Sequence, residues 1–191
     1  MNHSKSDTAG TFASFWSIFW GLGGFSALLL YAIYRLGRHM LTATDYEWSW
    51  LQWLVCIANV LFMAWSEGYR GFHQSFSPRT VARAMYLSRN PSFWPMVLAP
   101  VYCAGYFGAA KRVRMVVWIG TVLIVLAVLV LQQTPQPWRG IIDAGVVVGL
   151  TWGTASLMLT TIRGFASGEY PADPRISDVS DVAAETADAE H

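Results

Sequence analysis

The feature that most constrains this chain is a series of apolar runs too long for a water-soluble core. A hydrocarbon layer about 30 Å thick is crossed by roughly 20 helical residues, each rising about 1.5 Å. Without water to bond the backbone, a helix satisfies its own N–H and C=O groups. Four runs reach or approach that length: residues 12–34, 48–65, 115–132 and 141–162. The first is stopped by Arg35, Arg38 and His39, the second by Glu67, the last by Arg163. Trp16, Tyr34, Trp48, Trp50, Trp65 and Trp138 lie near run ends, where an interfacial aromatic belt belongs. Composition agrees: 54% of the residues are hydrophobic and 13% charged, about half the soluble norm of roughly 25%. A disordered chain, a coiled coil, a disulfide scaffold and an ordinary soluble domain are excluded on that basis.

The expected fold is therefore all-α, a polytopic membrane bundle of four or five transmembrane helices. A polar N-terminus (1–11) precedes a membrane domain (12–163). The first run is longer than the 7–15 apolar residues of a signal peptide and reads as a retained anchor. A fifth uncharged run, residues 93–110, contains Pro95 and Pro100. Its length favours a fifth span. The positive-inside rule favours four: four spans put ten Lys and Arg on one side and only Arg35, Arg38 and Arg139 on the other, whereas five give seven and six. Under the better charge assignment the C-terminal tail is cytoplasmic.

Charge is unevenly spread. Residues 1–163 carry 12 Lys and Arg against 5 Asp and Glu; residues 164–191 carry 1 against 7. The tail 164–191 reads as acidic and disordered. Residues 67–90 read as the one sizeable loop. Within it Ser77-Pro78 is a helix start, and 78–89 is expected as a short interfacial helix with Arg79 and Arg83 on one face.

Gly145, Gly149 and Gly153 recur every four residues in the last run, a smooth face for close helix contact, internal or with a second subunit. Gln52 and Asn59 are the polar residues of the second run and read as interhelical hydrogen-bonders. No run holds a charge at mid-depth, which argues against a proton pump. Two chemically rich stretches flank the runs: Glu67, Arg70 and His73 leading to Arg79 and Arg83, and Arg139 leading to Asp143. With five spans they share one membrane face. The arginines then hold an anionic headgroup, and Glu67, His73 or Asp143 moves a proton. With four spans they do not converge.

The two cysteines, Cys56 and Cys103, form no metal spacing, and the histidines form no ligand pair, so no metal or cofactor is expected. Phosphate-loop, dinucleotide, hydrolase and zincin motifs are absent from the sequence. The first functional expectation is a non-catalytic accessory or scaffold protein. It would bind the lipid bilayer, another membrane protein or a further copy of itself, and no nucleic acid. The alternatives are a membrane-interface enzyme acting on a phosphate-bearing or isoprenoid lipid, and a small carrier or channel.

Overall fold

The computed structural model describes residues 3–90 and 92–176, the first twelve of these as backbone only. Seven α-helices and one π-helical segment follow one another among the described residues: α1 (His3–Ala43), α2 (Trp50–Met63), the π segment (Ala64–Phe76), α3 (Ser77–Arg89), α4 (Phe93–Val97), α5 (Ala99–Ala104), α6 (Lys111–Leu131) and α7 (Trp138–Ser167). Four helices are long and apolar enough to cross a membrane: Phe15–Ala43, Trp50–Arg89, Lys111–Leu131 and Trp138–Ser167.

Several features bear on the sequence expectation. Residues 93–110 form no fifth long helix. Pro100 sits in the first turn of α5, and the preceding residues leave the helical region, with Leu98 at φ −98°, ψ 27°. A proline ring removes a donor and disfavours helix in the residue before it, so the run breaks into α4 and α5. Gly105, at φ +94°, ends α5 in the left-handed conformation that glycine takes without penalty.

Residues 67–90, expected as a loop, are helical through Arg89. They continue α2 through the π segment into α3, giving one 40-residue helix. The expected short helix at 78–89 exists as α3, but as the continuation of a long helix. Its residues Val81, Ala82, Ala84, Met85 and Leu87 are buried. Burial rather than a membrane interface thus accounts for its apolar face.

The start of α2 has a clear cause. Ser49 Oγ accepts from Gln52 N at 3.4 Å, and Gln52 Oε1 accepts from Ser49 N at 2.9 Å, a reciprocal capping box. Gln52 therefore closes a helix end and does not bond across to another helix.

The chain divides into two compact units. The first takes residues up to Phe25, Pro78–Gly120 and the chain from Thr161; the second takes Ser26–Ser77 and Thr121–Thr160. In the first unit α1 packs on α5: a Cβ at Gly21 would stand 3.0 Å from Cys103 Sγ, and Trp20 Nε1 donates to Val97 O at 3.0 Å. Gly164 of α7 lies against Val81 and Met85 of α3. The first residues of the segment expected to be a disordered tail are held here. Arg83 Nε donates to Pro174 O (3.1 Å), Arg89 Nη2 to Gly168 O (2.6 Å) and Ala110 N to Arg175 O (2.9 Å). The acidic residues from 177 onward lie outside the described residues.

In the second unit α7 runs beside α2 and the π segment in the same direction. Each glycine of the repeat receives one side chain: Gly145 faces Asn59, Gly149 faces Glu67 and Gly153 faces Phe72. The glycine face is thus filled from within the chain. Glu67 and Phe72 are five residues apart, whereas the glycines they meet are four apart. The i→i+5 ring of a π-helix stacks residues at that wider spacing. By contrast, α6 has no buried residue, although its apolar stretch has the highest mean hydropathy of the four, 2.6.

Candidate functional site

Three polar clusters are built into this framework, two in the second unit and one in the first. The sequence-predicted residues distribute among them rather than forming one site.

The first cluster joins the end of α1 to the start of α7. Arg139 Nε lies 3.8 Å from Asp143 Oδ2, an i,i+4 ion pair, and Arg139 Nη2 approaches His39 Nε2 at 3.1 Å. A guanidinium only donates, so His39 Nε2 accepts and its hydrogen sits on Nδ1. Gln136 Nε2 donates to His39 O at 3.2 Å. Gly140 is required here, because any side chain would run into Ala43. Asp143 is buried, and among the described residues its Oδ2 has no hydrogen-bond partner beyond the long ion pair. His39 was not among the sequence candidates. Its signal was only its place after an apolar run, which reads equally well as a stop signal.

The second cluster lies along the π segment. Asn59, one turn before it, donates through Nδ2 to Ile141 O (2.9 Å) and Ile142 O (3.3 Å). This is the interhelical bond expected of it, and Gly145 supplies the room. Glu67 packs against Gly149, where an added Cβ would meet Oε2 at 3.0 Å. That Oε2 is buried without a hydrogen-bond partner among the described residues. Gly149 is close to the middle of α7, so the carboxyl stands near mid-helix. Glu67 therefore lies within a long helix and not at its end. The run was read as ending at Glu67, but the helix continues for 22 residues beyond it.

His73 Nδ1 lies 3.0 Å from Ser156 Oγ of α7. Its ring is stacked on Tyr69, with centroids 5.7 Å apart and planes 14° from parallel, and Tyr69 stacks in turn on Trp65. Beside this pair runs a groove of about 540 Å³, lined by His73 and an α7 face that includes Val148, Trp152, Ala155 and Leu159. Gly68 lets Trp152 approach the π segment closely, since a Cβ there would come within 2.9 Å of the Trp152 side chain. Ser156 also escaped the sequence candidates, because a lone serine in an apolar helix is ordinary. Arg70 is exposed on the opposite course of the same segment.

Within the second unit the two clusters stay apart. Asp143 and Ser156 are thirteen residues apart on α7, about 20 Å at helical rise. Arg139 and Asp143 therefore do not join His73 around a single ligand.

The third cluster belongs to the first unit. Arg83 is 2% exposed; its Nη1 donates to Cys103 O at 3.0 Å and its Nε to Pro174 O. Gly105 makes space for it, because a Cβ would stand 2.8 Å from Nη1. Arg83 thus caps the end of α5 and ties down the C-terminal segment. Burial pushes the Cys103 thiol up to about 12, partly opposed by the Arg83 guanidinium. Arg79 is half-buried one turn before Arg83.

The cations of the first unit have few acids to answer them: Pro78–Gly120 carries six Lys and Arg and no Asp or Glu. Three of these, Lys111, Arg112 and Arg114, crowd the exposed first turn of α6. The helix dipole disfavours cations at that end. No family model, no curated protein and no solved structure matches the chain.

Proposed function

We propose that the chain is a multi-pass membrane protein with a non-catalytic, accessory role, and that it binds anionic lipid headgroups through the basic start of α6. The observation that carries this reading is the placement of Lys111, Arg112 and Arg114. Folding alone gives no reason for three cations at a helix N-terminus. A negatively charged headgroup layer does, at about 1 kcal/mol per cation near the surface. The bare apolar length of α6 supports the same reading, because hydrocarbon covers what no part of the chain buries. The glycine repeat, a possible docking face by sequence, is occupied by α2 and the π segment and so is closed to a partner.

Four crossings would put both termini, the 90–110 connection and ten Lys and Arg on one side, with Arg35, Arg38 and Arg139 on the other. The positive-inside rule makes the first of these cytoplasmic. The test is lipid retention in detergent, read by mass spectrometry of the intact complex. Phosphatidylglycerol is expected to stay bound in preference to phosphatidylcholine, and the preference should weaken with salt. The Lys111→Gln, Arg112→Gln, Arg114→Gln triple variant should lose it. Equal retention of both lipids by the native chain would sink the proposal.

A second reading, a small proton or cation carrier, is favoured by one observation: the buried, unpartnered Oε2 of Glu67 near the middle of a long apolar helix. Ionisable groups so placed mark transport paths more often than structure. Flux across vesicle membranes that disappears in Glu67→Gln would support it. Flux that is absent, or the same in both proteins, counts against it. The enzyme reading loses its composite site, because Asp143 and His73 do not converge.

A further inference from the structure

We propose that the acidic segment 177–191 docks on the basic start of α6 as an intramolecular anion, and that a headgroup reaches Lys111, Arg112 and Arg114 only by displacing it. The displacement rests on the headgroup reading; the docking itself does not.

The path of the chain after α7 carries the inference. Residues 168–176 are tied back across the first unit at successive points. Arg89 Nη2 donates to Gly168 O at 2.6 Å, and its guanidinium carbon stands 4.6 Å from the centre of the Tyr170 ring. The buried Arg83 donates through Nε to Pro174 O. Asp173 Oδ1 accepts from Arg175 N at 2.9 Å, where Arg175 takes a left-handed φ of 48°. Ala110 N donates to Arg175 O at 2.9 Å, and Ile176 forms an antiparallel bridge with Ala109. Ile176 and Ala109 are both buried. The segment that follows is thus rooted at one place, beside Ala109 and two positions from Lys111.

Charge at the root and charge in the segment are opposite. Residues 177–191 carry Asp178, Asp181, Glu185, Asp188 and Glu190 and no Lys or Arg. Lys111, Arg112, Arg114 and Arg175 are exposed where the segment begins. The nearest described acid, Asp173, already accepts from a backbone N–H. Among the described residues no ion pair answers the three cations of α6. Carboxylates beside them offset both their mutual repulsion and the unfavourable helix dipole.

Reach is ample. An extended chain covers at most about 3.3–3.6 Å per residue, so Asp178 and Asp181 come within about 7 and 18 Å of Ile176. Short tethers hold a group at an effective concentration of about 1 mM. A contact with an intrinsic dissociation constant of about 0.1–1 mM is then formed most or half of the time, and lowers headgroup affinity about two- to tenfold. The tether also favours this segment over the same segment of a second copy.

The first measurement uses the full chain in dodecyl maltoside without lipid. A water-soluble carbodiimide joins a lysine amine directly to a carboxylate, and Lys5 and Lys111 are the two lysines of the chain. Lys111 is expected to link to the 177–191 carboxylates within one chain at low salt, and to lose the link at about 0.5 M salt. No link at Lys111, or one no more frequent than at Lys5, overturns the docking. A link that joins two chains, seen as a covalent dimer, overturns its intramolecular form.

The second measurement compares lipid retention by the native chain with that of the neutral-tail variant Asp178→Asn, Asp181→Asn, Glu185→Gln, Asp188→Asn, Glu190→Gln. The variant should hold phosphatidylglycerol about two- to tenfold more strongly at low salt. Phosphatidylglycerol, and not phosphatidylcholine, should suppress the Lys111 link in the native chain. Equal phosphatidylglycerol retention by the two proteins overturns the displacement. If neither protein prefers phosphatidylglycerol to phosphatidylcholine, the headgroup reading fails as well, and the lipid-free link at Lys111 still decides the docking.

Discussion

At the scale of single residues, Glu67 and Cys103 show how burial changes what a side chain costs. Glu67 Oε2 is out of water without a donor. A buried acceptor left unmade costs about 1–3 kcal/mol, while an apolar group of similar shape in its place is nearly neutral or stabilising. Glu67→Met is therefore expected to raise thermal stability in detergent. A fall would mean that the carboxyl has an energetic partner. Cys103 has the opposite interest, because its shift is a pH effect with a definite sign. Burial holds its thiol at about 12 when folded, against an ordinary value of 9.0. Below pH 9 both states keep the proton and nothing is lost. Between about pH 9 and 12 the unfolded chain releases the proton and the folded chain does not, so folding weakens as pH rises, by up to about 1.4 kcal/mol per unit. The fall in melting temperature from pH 9 to 11 should be steeper in the native chain than in Cys103→Ala. Equal slopes would remove the effect.

Among the helices, the π segment matters most. It brings Glu67, Phe72 and His73 onto the path of α7, whose glycines and Ser156 receive them. Gly153 illustrates the dependence, since a Cβ there would run into the Phe72 ring. The clash involves a large ring wedged between helices rather than a flexible tip. Gly153→Ala should destabilise by about 1–3 kcal/mol, the usual penalty of overpacking. Phe72→Ala should relieve much of that penalty in a double-variant cycle of thermal or denaturant unfolding. If the two changes simply add, the packing is not what couples them. The same cycle at Gly120, which has nothing within reach of a Cβ, is the control.

For the whole molecule, the number of crossings decides which groups share a compartment. Under the proposed membrane reading, four crossings would put residue 92 and the start of α6 on one side and the short 44–49 and 132–137 connections on the other. Single cysteines at Ser92 and Lys111 should label from the same face of a sealed vesicle, and those at Asp45 and Gln133 from the opposite face. The background would lack Cys56 and Cys103. Labelling of Ser92 and Lys111 from different faces would restore a fifth crossing and undo the sidedness argued above.

The all-helical class and the presence of span-length helices were legible from residue order alone. Runs such as 115–132 leave the backbone no other means of bonding itself, and that need is local. The capping box at Ser49 and the i,i+4 pair of Arg139 and Asp143 are local in the same sense. What local reading missed was where a helix ends. Glu67, Arg70 and His73 look like the edge of an apolar run, because hydropathy scores each residue as though it faced lipid. Only the packed structure shows that Gly149 and Ser156 shelter Glu67 and His73 and let the helix continue. It also shows that Pro100 breaks a run otherwise long enough to cross. A residue's neighbours along the chain set its backbone preference, but a polar side chain is affordable inside an apolar helix only if a distant segment offers it space or a partner. That is a property of the tertiary fold.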